Sequence, residues 1–591
     1  MERLPAELIL HIASFLEARD LVPVHLASKH LFKITRDSEL WKRFCLDDSH
    51  SEAARRRQDF LYGPPIPIQE PRVFELRRAV ARSGNNNASQ TAETATARAM
   101  ATWDPTYPDE KVDWYGEYIA RHAPLSMSWL EQPFNEQNGL RKKSETRGLG
   151  VFKNHDDNLV VAPLDNGSVC LWNIGREDAA PNPQDGRIMA RSRPGLLSVN
   201  GPDDSIPQNS TNSRARMTST GVVECVSVDR ARNKAYFAVQ SGLNEVDLTT
   251  LQISSYDRYP SSITALSEAT YPVPLTVGTS VSLHLHDPRL GNNGGSPTSW
   301  ISDRVDTNAN ASQNPPYSTT DFHRLSSGDS SQTDYATLLH PSPLSILHLN
   351  PSSTIYVAGR FPSILNYDRR YFPKLTSTIH SGARLCSISS LPTPNHPTLA
   401  AAGEYNGKGS LELYPLESAF TASPSDSISD QPTRNRTSAS SSKLLSLTPH
   451  GTRLLFSDSD GQLKWVERDG SSLVRRWNIN TFDTSISDSE SARSGIFNAD
   501  PNEGDVARKL LPVGTGARSE VCVWTGEKIG VLGFKDKPRF SFGVDKDGTC
   551  TPEGSSDGES SDERDYERMM RRALERQADE VRFVRGLGLG G

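Results

Sequence analysis

Beyond Gly148 one pattern of short strands recurs seven times, and no other feature of this 591-residue chain restricts its fold as tightly. Each copy is an apolar run of alternating period, a polar turn, a second run, an Asp/Asn/Gly turn and a third run ending near an aromatic. The copies begin at Asn158 (NLVVAPLDNGSVCLWNI), Cys225, Ile263, Leu344, Leu385, Leu444 (LLSLTPHGTRLLFSDSDGQLKWVERDG) and Ser519. Asp165-Asn166-Gly167, Asn406-Gly407 and Asp460-Gly461 supply residues that tolerate positive φ, as tight reversal between strands demands. A single copy cannot bury both of its faces. Several must stack, and sequential hairpins at repeated spacing fit a ring better than a β-sandwich array.

The repeats resemble a WD-repeat β-propeller of about seven blades. Leu171-Trp172, Lys464-Trp465 and Val523-Trp524 come nearest to the Trp-Asp signature, although no copy has an Asp directly after its Trp and the Gly-His pair is missing. The resemblance implies a ring closed by a borrowed strand, since closure is how a propeller removes its edges. Arg147 to Phe152 and Arg539 to Val544 are the spare strands for that role. Four spans rich in Ser, Asn, Pro and Gly interrupt the ring: Gly175 to Thr218, Gly291 to Thr333, Ser418 to Ser442 and Asp483 to Asp505. Loops of this length are expected to be disordered or to bind partners.

The amino-terminal residues carry a second period. Leu8, Ile9, Ile12, Phe15 and Leu16 follow helical spacing, with Pro5 in the first turn. Asp20 is placed to cap a second helix bearing Leu21, Val24 and Leu26, with Pro23 still in its first turn. Ser28 and Asp37 are placed to cap two more, carrying Leu31, Phe32 and Ile34, then Leu40, Trp41 and Phe44. Helices this short lack a core of their own, so Leu4, Pro5, Leu8 and Ile12 are candidates for burial against another protein.

Leu4-Pro5, Glu7-Leu8, Ile12, Phe15-Leu16, Asp20-Leu21, Ser28-Lys29, Leu31, Asp37 and Leu40-Trp41 together make residues 1–46 resemble an F-box. The resemblance implies docking onto the Skp adaptor of an SCF-type cullin–RING ubiquitin ligase, with cullin and RING subunits reached through the adaptor. The adaptor-binding residues it implies are Leu4, Pro5, Leu8, Ile9, Ile12, Phe15, Leu16, Leu21, Leu31 and Trp41.

Residues 47–144 read as a helical bridge. Within it Ser83 to Ala99 is of low complexity and expected to be disordered, while Trp114, Tyr115, Tyr118 and Ile119 sit at helical spacing and Trp129 follows a break at Pro124. Such aromatic density needs burial, and a second helical layer holding the first helices against the next domain supplies it. The propeller is expected over 145–544 and an acidic linker with a carboxyl-terminal helix over 545–591, where Ser560, Glu563, Tyr566, Met569, Leu574 and Val581 trace a capped stripe. The expected class is therefore a multidomain α plus all-β protein: F-box and helical bridge, a roughly seven-bladed propeller, then a helix.

Composition narrows the functional classes. Cys45, Cys170, Cys225, Cys386, Cys522 and Cys550 are scattered without a CxxC pair, which argues against disulfide scaffolds and zinc sites. A formal net charge of -7 argues against general nucleic-acid binding, and no run of about 18 apolar residues spans a membrane. With no signal-peptide layout at the start, cytoplasm or nucleus is expected. No P-loop or HExxH pattern occurs, so no cofactor or metal is implied and an enzyme is not expected. The reading is a non-catalytic substrate receptor, with Arg360, Tyr367, Arg370, Tyr405 and Arg453 near blade turns as candidates for gripping a target protein. The alternatives are a receptor of a cullin-four ligase, since His286-Asp287-Pro288-Arg289 and Tyr367-Asp368-Arg369-Arg370 are similar to the motif by which other WD proteins enter such ligases through a damaged-DNA-binding adaptor, and a scaffold without ligase contact.

Overall fold

The structure is a computed structural model that describes residues 4–47, 49, 103–107, 110–137, 140–154, 157–176, 182–197, 225–289, 335–338, 342–349, 353–391, 397–416, 435–482, 505–540, 542–544 and 550–552. The chain divides into two compact units, residues Met1–Phe540 and Ser541–Gly591. In the second, Phe542–Val544 pairs antiparallel with Cys550–Pro552. The low-complexity stretch at 83–99 and the carboxyl-terminal helix lie outside the described residues.

The first unit opens with four helices, α1 (Ala6–Ala13), α2 (Ala18–Ala27), α3 (Lys29–Ile34) and α4 (Ser38–Asp47). Ser28 caps α3 by accepting from the His30 N–H, and Asp37 caps α4 by accepting from Glu39 and Leu40. Asp20 does not cap: α2 starts earlier, at Ala18, so Asp20 lies in its first turn and Pro23 falls inside the helix. A fifth helix, α5 (Trp114–His122), packs on α4. Ala13, Leu21, Leu40, Trp41, Cys45 and Trp114 form their shared core.

Seven four-stranded antiparallel sheets follow, each a blade. Three early strands precede them in sequence: β1 (Ser126–Trp129) and the hairpin β2 (Phe134–Gln137) with β3 (Leu140–Lys143). Blade 1 is β4 (Gly150–Asn154), β5 (Asp157–Pro163), β6 (Val169–Gly175) and β7 (Ile188–Arg191). Blade 2 is β8 (Val226–Asp229), β9 (Lys234–Val239), β10 (Gly242–Asp247) and β11 (Gln252–Arg258). Blade 3 is β12 (Ile263–Leu266), β13 (Leu275–Thr279), β14 (Ser282–His286) and β15 (Tyr335–Thr337). Blade 4 is β16 (Pro343–Leu349), β17 (Thr354–Gly359), β18 (Ser363–Asp368) and β19 (Leu375–His380). Blade 5 is β20 (Arg384–Leu391), β21 (Thr398–Tyr405), β22 (Lys408–Pro415) and β23 (Asn435–Ser440). Blade 6 is β24 (Leu444–His450), β25 (Arg453–Asp458), β26 (Gln462–Glu467) and β27 (Leu473–Asn478). Blade 7 is β28 (Lys509–Pro512), β29 (Val521–Trp524) and β30 (Ile529–Gly533), completed by β1.

The seven segments read from the sequence thus each fall on one blade, and the turns at Asn406-Gly407 and Gly461 have positive φ. The closing strand is a correction. It is Ser126–Trp129, paired with β30 in the register Ser126 to Gly533. Arg147 to Phe152 instead leads into the first strand of blade 1, and Phe542–Val544 belongs to the second unit. The ring therefore begins at residue 126 rather than 145, and Trp129 is on a strand, not a helix. The physical reason is the edge of β30: among the described residues the segment leaving α5 arrives beside it, and its backbone covers groups that would otherwise lie unpaired. Two spans assigned to insertions also contain outer strands, β7 and β23; much of the four spans lies outside the described residues.

A device the repeat pattern did not reveal holds neighbouring blades in register. The first strands of neighbouring blades contact one another at the junctions of blades 1 and 2, 3 and 4, 4 and 5, 5 and 6, and 6 and 7. In blades 4, 5 and 6 that strand carries a β-bulge followed by a serine, Ser345, Ser387 and Ser446. Each serine accepts from a backbone N–H of the next blade: Ile388 at 3.1 Å, Leu447 at 3.2 Å and Leu510 at 3.1 Å. Ser227 in blade 2 does the same for Ala269 in the connection leading to the second strand of blade 3. At closure, Lys509 donates to the Leu149 and Val226 carbonyls.

Candidate functional site: an apolar helical face fixed to the ring

Helix α1 carries two apolar stripes, and only one is covered. Ile9 and Ala13, four apart, turn into the helical core. Leu8 and Ile12 lie on the other stripe, Phe15 follows in the turn just after the helix, and all three stand in solvent, with Leu8 50% and Phe15 77% exposed. Leu4, Val22, Leu26 (84%) and Phe32 are exposed as well. An uncovered apolar surface of this kind on a helical unit marks an interaction site.

The ten adaptor candidates accordingly separate. Leu4, Pro5, Leu8, Ile12 and Phe15 are exposed and Leu16 is half-buried. Ile9, Leu21, Leu31 and Trp41 are buried and cannot reach a partner while the helices stay packed. Trp41 has a different task. Its indole N–H donates to the Thr35 carbonyl at 2.8 Å, and its ring lies 4.8 Å from Tyr115 and 5.0 Å from Tyr118 of α5. Arg36 stacks its guanidinium over Phe32 and Tyr115, 3.9 and 4.2 Å from the ring centroids. Lys42 reaches Asp104 on the segment before α5. The bridge aromatics thus fix the first helices to α5, as their density implied.

Helix α5 is fixed in turn to blade 6 by charge. Arg121 grips Glu467 with both guanidinium nitrogens, at 2.6 and 3.1 Å. Glu117 accepts from the Thr452 N–H at 2.6 Å and pairs with Arg453 at 3.2 Å. Arg453 also donates to the Ala120 and Ala517 carbonyls, and Arg468 binds Glu110 and the Pro105 and Gly451 carbonyls. Burial alone would raise the Glu117 carboxyl; the Arg453 and Arg121 guanidiniums overcome it and hold the group ionised below its ordinary range. Gly451 is required here, since its φ is +60° and a Cβ would lie 2.4 Å from the Glu117 carboxylate.

This junction corrects the target-binding candidates. Arg453 is fully buried in the ion pair with Glu117, and Tyr367 is buried between blade strands, so neither is presented to a partner. Strand direction separates the rest. First-to-second and third-to-fourth loops emerge on one face of the ring, second-to-third loops on the other. Arg370 follows the third strand of blade 4, on the face where α5 docks, and binds Asp368 at 2.6 Å. Arg360 and exposed Tyr405 lie at second-to-third loops on the opposite face. Asp287 and Arg289 form the same local pair in blade 3, also 2.6 Å. Both Asp–Arg pairs therefore lie within their own turns.

The tryptophans also differ from one another. Trp172 and Trp465 are on third strands, whereas Trp524 is on the second strand of blade 7. The buried network was invisible in the sequence, because Glu117 and Arg453 are 336 positions apart and nothing local pairs them.

Residues 1–47 match the F-box-like family. A search of the curated proteins finds no match for the chain. The chain thus carries an F-box-like domain at its amino-terminal residues and a seven-bladed β-propeller domain after it.

Proposed function

We propose that this chain is the substrate-recognition subunit of an SCF-type cullin–RING ubiquitin ligase. The F-box-like helices bind the Skp adaptor, the propeller holds a target protein, and ubiquitin transfer leading to proteasomal degradation is carried out by other subunits. The carrying observation is the uncovered stripe Leu4, Leu8, Ile12 and Phe15 on helices that α5 fixes to blade 6. Fixed coupling gives a bound target a defined position relative to the transferring subunits, and proximity is the catalytic contribution of such a receptor. The chain itself is read as non-catalytic, binding no cofactor, and acting in cytoplasm or nucleus.

The test is affinity purification with mass spectrometry. Skp adaptor and cullin co-purifying with the wild-type chain, and absent with Leu4→Ala/Leu8→Asp, support the reading. A damaged-DNA-binding adaptor with cullin-four, or no ligase subunit at all, would replace it with one of the alternatives.

A further inference from the structure

Beyond β30 the chain turns back across the joint where the ring closes. Two buried serines of β1 bond to it there, two positions apart and so on one face of the strand. Ser126 donates to the Lys537 carbonyl at 3.0 Å, and Ser128 accepts from the Arg539 N–H at 2.7 Å. Pro538, between them, has no N–H to offer a strand ladder, and among the described residues β1 pairs with β30 alone. Lys535, Asp536, Lys537 and Pro538 stand exposed.

The far end of this segment is anchored by charge. Arg539 enters between blades 1 and 7, and its side chain is 4% exposed. Its Nε and Nη2 donate to one carboxylate oxygen of Asp185, between β6 and β7, at 3.1 and 2.9 Å. Nη1 donates to Glu520, just before β29, at 3.3 Å, and Nη2 also to the Arg176 carbonyl at 2.7 Å. Asp185 and Glu520 are themselves buried, so one guanidinium stands between two carboxylates drawn from the blades on either side of the closure. Phe540 follows into space left by a glycine: Gly186 has a φ of +77°, and a Cβ there would lie 2.4 Å from the phenyl ring. That ring packs against the apolar core shared by blades 1 and 7.

We propose that Lys537–Phe540 is a clasp over the ring closure, which docks and undocks as one unit through Arg539, and that undocking loosens β1 and β7 while blades 2–6 stay folded. The hold is concentrated in two serine bonds, one guanidinium and one phenyl ring, so opening it takes less than unfolding the ring. Without the guanidinium, Asp185 and Glu520 are left as buried like charges, which disfavours the docked joint. Strand β1 begins at Ser126 and α5 ends at His122, so the clasp also holds the path from the ring to the helices. This device goes beyond the receptor reading and operates with or without a target on the ring.

The experiment is amide exchange by mass spectrometry on the full chain, wild type against Arg539→Ala. Exchange over 124–130 and 186–191 should rise at least tenfold in the variant, with 343–415 in blades 4 and 5 unchanged. Methylguanidinium at about 10 mM should restore protection saturably and methylammonium should not, because the pocket takes a planar fork rather than a point charge. Adding Asp185→Asn to Arg539→Ala should recover part of the loss by removing one of the two facing charges. Where Arg539→Ala fails to fold, Phe540→Ala replaces it, and the same two regions are expected to exchange faster. Unchanged exchange over 124–130 in the folded variant, acceleration spread evenly over the seven blades, or equal rescue by the two cations would overturn the proposal. Skp adaptor titrated into the same samples reports on the receptor reading alone.

Discussion

On the outer side of the helical unit, Leu8, Ile12 and Phe15 stand in water; on its inner side, where α5 meets blade 6, the groups withdrawn from water are Glu117, Arg121 and Arg453. The two surfaces reverse the usual placement of apolar and charged residues. Apolar contact is strong but tolerant of angle, which suits a face awaiting a partner. Paired guanidinium and carboxylate groups fix direction, which suits a joint that must hold one orientation. Such ions stabilise little in net terms, because desolvation offsets attraction, yet removing one partner leaves an uncompensated charge. The joint is therefore specific rather than strong, and sensitive to single changes.

The most severe way to break the comparison is to delete residues 1–139. That removes β1 as well as the helices, leaving β30 as an open edge. We expect insoluble protein, read by soluble yield against the full chain; a soluble, monomeric ring would show that another segment can close blade 7. Next in size, Glu117→Ala leaves Arg453 and Arg121 buried without their shared carboxylate. A destabilisation of about 3–5 kcal/mol is expected by thermal or urea unfolding, with adaptor affinity unchanged below the transition. A shift under about 1 kcal/mol would mean water already enters the joint.

Acid sharpens the contrast. Burial holds His284, His348 and His450 down at about 4, with Arg453 adding to the effect at His450. In the unfolded chain they titrate near 6.5, so the unfolded state binds protons that the folded state refuses. Stability is therefore fully present above about pH 6.5 and falls as pH drops towards about 4. Glu117, held low when folded, loses its contribution in the same direction but from a lower starting pH. Each histidine accounts for up to about 1.4 kcal/mol between pH 6.5 and 5.5. Equal unfolding free energies at pH 7.5 and 5.5 would contradict this account, and His450→Gln should flatten the slope. The smallest effect belongs to the blade joints: Ser387→Ala strands the Leu447 N–H and should cost about 1–2 kcal/mol.

What the sequence disclosed follows from the range of its signals. The seven hairpin copies were legible because turn chemistry and period-two alternation are local. Ser28 and Asp37 were legible as caps for the same reason. Strand β1 was not: four residues, SMSW, contain too few alternations to outweigh the aromatic run before them. Arg453 and Tyr367 were misplaced because a position near a turn was equated with exposure, whereas α5 covers one and neighbouring strands enclose the other. The bulge serines escaped notice because a lone Ser in an apolar run acquires meaning only when the next blade presents an N–H to it. In α1 the helical period was plain, but Ile9 and Leu8 differ by one position, and only packing decides which stripe is buried.

The most direct test of the central claim compares Leu8→Asp with wild type, as purified full chains titrated calorimetrically with the Skp adaptor. Leu8 is half exposed and lies outside the buried core of the helices, so its change should leave the melt within a few degrees. Burying such a side chain is worth about 1.5–3 kcal/mol, and a carboxylate in its place adds a desolvation penalty. The account predicts binding weakened at least a hundredfold with the fold intact. Adaptor affinity equal to wild type in that variant would contradict it.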